Sequence, residues 1–282
     1  MPYVSTEYGK LKKVLLSAPE YLTIQDPLNV ISEDHLNRHD DVNIEKACKE
    51  HEDFINIFKS YDVEVVLGKT NPHNVYTLNT RDLGVTTEKG IIFGRYVKPA
   101  RWGEHRLAEK ALYEKNIPIS YKLNEGTFEG GDFMYLDKKI AAVGTGIRTN
   151  MLGIEGLRFN LYDIDLEIIP VDFDEKFLHL DMICNVVGEK VAILCKEALP
   201  DEFIRLLEKK KFELINVSVE EIFSHACNVL SIGNEVIISH NGAEKVNDKL
   251  KTLGFKLEIV NLTEVRKSGG GPRCMSFPLE RE

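Results

Sequence analysis

Four segments of this chain share one design: RDLGVTTEKGIIFG from Arg81, GDFMYLDKKIAAVG from Gly131, CNVVGEKVAILC from Cys184 and CNVLSIGNEVIISH from Cys227. Each joins two short runs of apolar and β-branched residues across a polar turn holding Gly, Asp or Lys, which is the signature of a β-hairpin. A small polar residue introduces each one: Asp82, Asp132, Asn185 and Asn228. LKKVLLSAP, near the N-terminus, reads as a more degenerate fifth copy. Its missing partner strand is expected from the chain around Cys274.

Helical patterns separate the hairpins. VNIEKACKEHEDFINIFKSYD puts Ile44, Ala47, Cys48, Phe54, Ile55 and Phe58 on one face, and GEHRLAEKALYEKN does the same with Leu107, Ala111 and Leu112. LPDEFIRLLEKKK opens with Pro200 and Asp201 at a helix start, and NGAEKVNDKLKTLG closes on Gly254, a natural C-cap. Strands such as VEVVLG, IPISYKL, LEIIPVDF, ELINVSV and KLEIVNL follow the helices. The unit is hairpin, helix, strand, with a period of about fifty residues, so about five units fill the chain.

Units that cannot bury their own faces pack against their copies. The expected architecture is therefore α/β: a closed ring of five units, residues 1–282 forming a single domain, with each unit's first strand near the centre. Asp82, Asp132, Asp181 (just ahead of Asn185) and Asn228 would then crowd one mouth of a central channel. Several acids there make a cation site; the plainer reading is that they are turn formers.

Composition narrows the function. A net charge of -9 argues against a nucleic-acid-binding stripe and permits an acidic pocket for a cationic ligand. No apolar run reaches the length of a membrane span, and MPYVSTEYGKLKK lacks the apolar stretch of a signal peptide, so a cytoplasmic protein is expected. The five cysteines include no CxxC pair, which disfavours a disulfide framework or a structural zinc site. Cys48, Cys184, Cys195 and Cys227 sit among apolar neighbours and read as buried thiols, whereas Cys274 follows a glycine loop.

Three constellations carry chemistry. In FLHLDMIC, His179 and Asp181 alternate with Leu178, Leu180 and Met182, so in a strand they would share a face as an acid/base with its anionic anchor. In NEGTFEGGDFMYL, Glu129 and Asp132 flank Gly130 and Gly131, glycines that let the backbone approach something bulky or take a positive φ. In SGGGPRCMSFPLERE, a thiol follows a flexible stretch; it needs a cationic or hydrogen-bonding setting to ionise and a histidine to move protons, for which His179 is the candidate and His225 the rival. No GxSxG elbow and no Walker-type phosphate loop is present.

TRD at Thr80–Asp82, EGGD at Glu129–Asp132, HLD at His179–Asp181 and GGGPRCMS at Gly269–Ser276 occur in this order. Together they resemble the guanidino-group-modifying enzymes: arginine deiminases, dimethylargininases and amidinotransferases. GKLKKVLLSAPEYL resembles that family's first strand. The resemblance implies a five-bladed pseudo-symmetric α/β propeller, in agreement with the repeat. It also implies a Cys274 nucleophile attacking the guanidinium carbon, with His179 as the proton donor to the leaving amine and later activator of water. Asp82 and Asp181 would grip the guanidinium by paired hydrogen bonds, with Asp132 beside them, and Glu129 would orient substrate and His179. The intermediate would be a thiouronium, hydrolysed to a ureido product or captured by an amine. No metal or organic cofactor is required, and the partner is a small guanidino substrate, not nucleic acid or membrane; self-association into a homo-oligomer stays open.

Within the family the cues divide. The chain's length suits dimethylargininases and short arginine-hydrolysing relatives. HLD with TRD resembles arginine deiminases instead, because methyl groups would leave Asp181 unpaired, at a cost of about 1–3 kcal/mol. Arg148, in GTGIRTN, matches a position that binds the substrate carboxylate in arginine deiminases, while Lys267, Ser268 and Gly269 stand where a second such arginine is usual. Asn29, in DPLNVIS, resembles the asparagine of relatives that take arginine on to ornithine. The expected reaction is arginine to citrulline and ammonia. The alternatives are methylarginine hydrolysis, dihydrolysis to ornithine, amidino transfer, or a non-catalytic guanidine-binding module.

Overall fold

The computed structural model describes residues 2–24 and 26–282. Its elements run β1 (Leu11–Leu16), α1 (Val30–Asn37), α2 (Ile44–Ser60), β2 (Glu64–Leu67), β3 (Gly84–Thr87), β4 (Gly90–Phe93), α3 (Glu104–Glu114) and β5 (Ile119–Lys122). They continue with β6 (Phe133–Asp137), β7 (Ile140–Thr145), α4 (Met151–Asn160), β8 (Glu167–Asp172), α5 (Leu180–Ile183), β9 (Cys184–Gly188), β10 (Val191–Leu194), α6 (Asp201–Lys209) and β11 (Glu213–Asn216). The last are α7 (Val219–Phe223), β12 (Leu230–Gly233), β13 (Val236–His240), α8 (Glu244–Thr252), β14 (Lys256–Val260) and β15 (Phe277–Arg281).

The strands form five three-stranded sheets: β3-β4-β5, β6-β7-β8, β9-β10-β11, β12-β13-β14 and β15-β1-β2. In every sheet the first two strands are antiparallel and the third joins the second in parallel, as Val85 opposite Ile92 and Ile91 opposite Ile119 show in one blade. Parallel pairing needs a crossover, and the helix of each unit supplies it. Five such units around one axis make the five-bladed α/β propeller.

Burial shows which strand lies inside. The first strands β3, β9 and β12 are buried at every position, whereas the third strands β2, β5 and β11 alternate with solvent. A strand buried on both faces reads as a continuous apolar run; the second strands β4 and β13 are buried throughout as well, so contact between blades is what marks the first strands as innermost. First strands of adjacent blades touch directly, as β6 does β9 and β9 does β12.

The degenerate N-terminal copy is completed by the far end of the chain. β1 pairs antiparallel with β15, with Val14 opposite Pro278 and Leu15 opposite Phe277. The strand begins three residues after Cys274, so the thiol loop is anchored by ring closure. Phe277 is buried, with its ring edge-on to Phe93 at 6.4 Å.

Helix faces differ in detail from the apolar periodicity. On α2 the buried residues are Ala47, Glu50, His51, Phe54 and Phe58, while Cys48 is only partly buried. Glu50 goes inside because its carboxylate accepts the Glu264 and Val265 backbone N–H groups at 2.9 and 3.1 Å. On α3 Ala108 replaces Leu107 on the buried face. Gly254 follows α8 with φ +92°, the left-handed conformation expected of a helix stop. No helix is long and apolar enough to cross a membrane among the described residues.

Truncating Phe277 to Ala opens a cavity where the ring closes. Urea titration should show a loss of about 3–5 kcal/mol; Tyr113→Ala, at a side chain 82% exposed, should stay within about 0.5 kcal/mol.

Candidate active site

The residues that introduce the inner strands lie in tight turns, not in the strands themselves. Thr80–Leu83 and Gly130–Asp132 are single 3-10 turns. The Thr80 hydroxyl lies 2.9 Å from the Met275 carbonyl, and the Arg81 N–H donates to the Cys274 carbonyl at 3.0 Å. The TRD turn is thus bolted to the thiol loop.

His179 and Asp181 do not sit in a strand. His179 is the N-cap of α5, and Asp181 is in its first turn. The cause is long-range: the Asp132 carboxylate accepts the Leu180 N–H at 2.9 Å and the Thr149 hydroxyl at 2.6 Å. Leu178 turns the chain with φ +63°, an uncommon backbone for a bulky residue. His179 and Asp181 still reach the same site, through helix geometry instead of strand alternation.

Gly131 is required for close approach. A Cβ there would lie 2.7 Å from His179 Nδ1 and 2.9 Å from Asp82 Oδ1, and its φ is not positive, so the imidazole packs on bare backbone. Gly269, in the thiol loop, has φ +92°, where a side chain is strained.

These turns bring Cys274, His179, Asp82, Arg148 and Asn29 to one cleft, which Asn79 and Arg101 also line. His179 Nε2 is 3.0 Å from Glu129 Oε2, and its Nδ1 is 3.7 Å from Asp82 Oδ1. Burial disfavours the imidazolium, but Asp82, Asp132 and Glu129 outweigh it and raise the pKa to about 9. His179 is therefore protonated at neutral pH. Glu129, though buried, is held below its ordinary range by His179, Arg148 and Arg101.

The Cys274 thiol lies 3.7 and 3.9 Å from the Asp181 carboxylate oxygens and accepts from Asn228 Nδ2 at 3.0 Å. Burial and the carboxylates of Asp181 and Asp82 push its pKa well above the ordinary thiol value. Burial likewise raises Asp181, against Arg273 and His179. The thiol is thus neutral beside carboxylates whose charge favours a cation.

Two residues of the site, Arg101 and Asn79, were not singled out by sequence reasoning, and a third, Asn228, was expected at the channel mouth without its role. Asn228, read as a strand opener, clamps the thiol loop: its Oδ1 accepts from Cys274 N at 3.0 Å and Gly271 N at 3.1 Å. Arg101 is buried, with Nη1 2.5 Å from Asp82 Oδ2 and a bidentate bond to Glu104 at 3.0 and 2.8 Å. The R-x-x-E spacing of PARWGE was its only signal. Asn79 lines the cleft with a buried side-chain oxygen that meets no protein donor among the described residues.

Asp132 does not line the cleft. With its two oxygens engaged by Leu180 and Thr149, and burial raising its pKa to about 7, it supports the His179 turn from beneath. Arg148 bonds Glu129 at 3.3 Å and the Leu28 carbonyl at 2.7 Å. Asn29 caps α1, accepting from Ile31 and Ser32 and donating to the Ser268 carbonyl at 3.0 Å. Arg266, just ahead of Lys267–Gly269 where a second carboxylate-binding arginine is usual, points elsewhere, toward Ser224 and Asn241. His225 lies on no wall of the cleft. One atom each of Asp82, Glu129 and His179 lie within 4.8 Å of one another, a spacing that would admit a metal ion; Arg101 already supplies positive charge to this cluster.

The sequence profile of the family described as N,N dimethylarginine dimethylhydrolase, eukaryotic, matches residues 18–281. The chain belongs to the guanidino-group-modifying enzymes. A Bacillus subtilis relative, Uncharacterized protein YkgA, is 34% identical over 276 residues, 98% of this chain and 94% of its own. The arginine deiminase of Streptococcus agalactiae is 27% identical over 72% of this chain, which spans 60% of that relative's length. In fold, the N-terminal domain of ArgZ, a cyanobacterial arginine dihydrolase, superposes with TM-score 0.83 at 20% identity, over 96% of this chain and 98% of that one. The amidinotransferase SxtG from Microseira wollei gives TM-score 0.83 at 18% identity, over 100% and 97% of the two chains.

The raised pKa of His179 has a sign that can be measured. Its folded value of about 9 exceeds the unfolded one, so its stabilisation is full below about pH 6.5 and disappears as pH rises through 9. NMR titration should find one imidazole near that value, and Glu129→Gln should lower it by about one unit or more.

Proposed function

We propose that this protein hydrolyses the guanidinium C–N bond of free arginine, giving citrulline and ammonia. The observation that carries the reading is a thiol 3.7 Å from a buried carboxylate, in a cleft shared with Asp82 and a protonated His179. A planar cation fits that charge pattern, because Asp82 and Asp181 present acceptors to its N–H groups. Arg101, whose guanidinium already bonds Asp82 and lies 3.8 Å from Glu129, illustrates how this carboxylate cluster receives such a group.

The bound cation offsets the carboxylates that keep Cys274 protonated, so the substrate itself promotes thiolate formation, the thiol proton leaving to solvent as the substrate enters. Sγ then attacks the guanidinium carbon. The C–N bond to one terminal nitrogen breaks as His179 delivers a proton, and ammonia leaves. The Nδ1 proton, only loosely held near Asp82, is the one free to move. His179, now neutral beside Glu129, takes a proton from water; the oxygen adds to the thiouronium carbon, and the C–S bond breaks to give the ureido product and the thiolate.

Asp181 favours an unmethylated substrate, since N-methyl groups would set carbon against its oxygens. Arg148, with an Nε that meets no protein acceptor among the described residues, is the candidate anchor for the substrate's carboxylate. Asn29 spends its amide on capping α1 and on Ser268, which speaks against a second hydrolysis to ornithine.

The test is product identity with arginine, Nω-methylarginines and agmatine. Arginine should yield citrulline and ammonia without ornithine, agmatine should react poorly, and Cys274→Ser should lose at least about a thousandfold in rate. Asp181→Asn should lower kcat/KM for arginine by about 10- to 100-fold. Methylamine release in preference to ammonia would overturn the substrate assignment.

A further inference from the structure

A second buried cavity lies beyond the active site, away from the cleft. It is lined by Glu7, Arg81, Thr86, Tyr135 and Arg281, none of which lines the cleft. Ion pairs connect the two. Asp181, beside the thiol, is 3.5 Å from Arg273 Nε, and Arg273 Nη1 is 2.6 Å from Glu7 Oε2.

The charges around this cavity do not balance. Arg81, Arg273 and Arg281 are 5%, 1% and 3% exposed, against the two carboxylates Glu7 and Asp181. Glu7 is committed to Arg273 and to the Tyr135 N–H at 3.1 Å, and it stands 3.8 Å from Arg81 Nη2, beyond hydrogen-bond reach. Among the described residues the Arg281 guanidinium donates only to neutral carbonyls, those of Gly9 at 2.6 Å and Ser231 at 2.8 Å. Burial together with the neighbouring guanidiniums lowers Arg81 to about 10 and Arg281 to about 9.

The unused polar atoms are nearly all donors. Arg81 Nε and Nη2, Arg281 Nε and Thr86 Oγ1 meet no protein partner among the described residues. The Tyr135 hydroxyl is occupied with the Val4 carbonyl at 3.2 Å. Buried polar groups are rarely left unpaired, and the cavity has room for about one water-sized particle. A water there would bring two hydrogens of its own and no charge. A halide ion accepts from several donors at once and supplies the missing negative charge.

We propose that this cavity is a binding site for a single halide ion, chloride under physiological conditions, held by Arg81, Arg281 and Thr86. The site is independent of the reaction catalysed in the cleft. Arg81 adjoins Asp82 and donates its N–H to the Cys274 carbonyl, so the anion lies one residue behind the chemistry.

Two measurements test it on the intact protein. Crystals soaked in sodium bromide should show an anomalous peak between the Arg81 and Arg281 guanidiniums. Thermal unfolding in sodium chloride should lie a few degrees above that in sodium gluconate of equal ionic strength. Thr86→Val keeps the shape of the side chain and removes one donor. It should need about tenfold more chloride for the same shift, with little change in gluconate. The proposal is overturned by the absence of the bromide peak, by equal unfolding temperatures in chloride and gluconate, or by phosphate matching chloride.

Discussion

Everything in this molecule depends on five inner strands sharing one axis, and that sharing is completed by the pairing of β15 with β1. Without it the N-terminal blade lacks its inner strand and the ring has a gap. A strand covered on both faces cannot tolerate solvent there, so the two ends of the chain are forced together. The thiol loop runs straight into β15, and the TRD turn is tied to that loop through Thr80 and Arg81. The geometry of the cleft is therefore a by-product of closure, fixed by apolar packing some distance from any reacting atom.

The same convergence concentrates charge. Turns from separate blades deliver Asp82, Glu129, Asp132 and Asp181 to one end of the ring, and burial makes each carboxylate expensive unless it is answered. Arg101, Arg148, Arg273 and His179 answer them. Asp132 accepts its hydrogen bonds from neutral donors among the described residues, and burial, against the charge of nearby His179, raises its pKa to about 7. The array is close to balanced, and the carboxylates nearest Cys274 leave its surroundings net negative, in keeping with the proposed cationic substrate.

Much of this was legible in the sequence because it is local. Hairpins with small polar openers, helices with apolar faces and a closing Gly254 each carry their own short-range pattern, and repetition at a constant spacing reveals the ring. The partner of the first strand was legible as well, since a degenerate copy must find its missing half. What escaped were features set by contact between blades. The strand reading of His179–Asp181 failed because Asp132, 48 residues away, takes the Leu180 N–H and starts a helix. Glu50 is buried on α2 because it caps a turn some two hundred residues later. Arg101 looks like an ordinary surface residue until a neighbouring turn brings Asp82 against it, and Asn228, expected at the channel mouth, gave no sign that its amide would clamp the thiol loop. No window of sequence holds both halves of such an arrangement.

The carboxylates around Cys274 have a consequence for chemical durability. Peroxides and alkylating agents react with thiolates, and a thiol held protonated and buried offers them almost none. A reactive sulfur in most proteins must be shielded by a partner or repaired by reductants. Here the negative groups around Cys274 also hold the sulfur in its unreactive thiol form, so the charge pattern that would suit a cationic ligand is also one that slows oxidation.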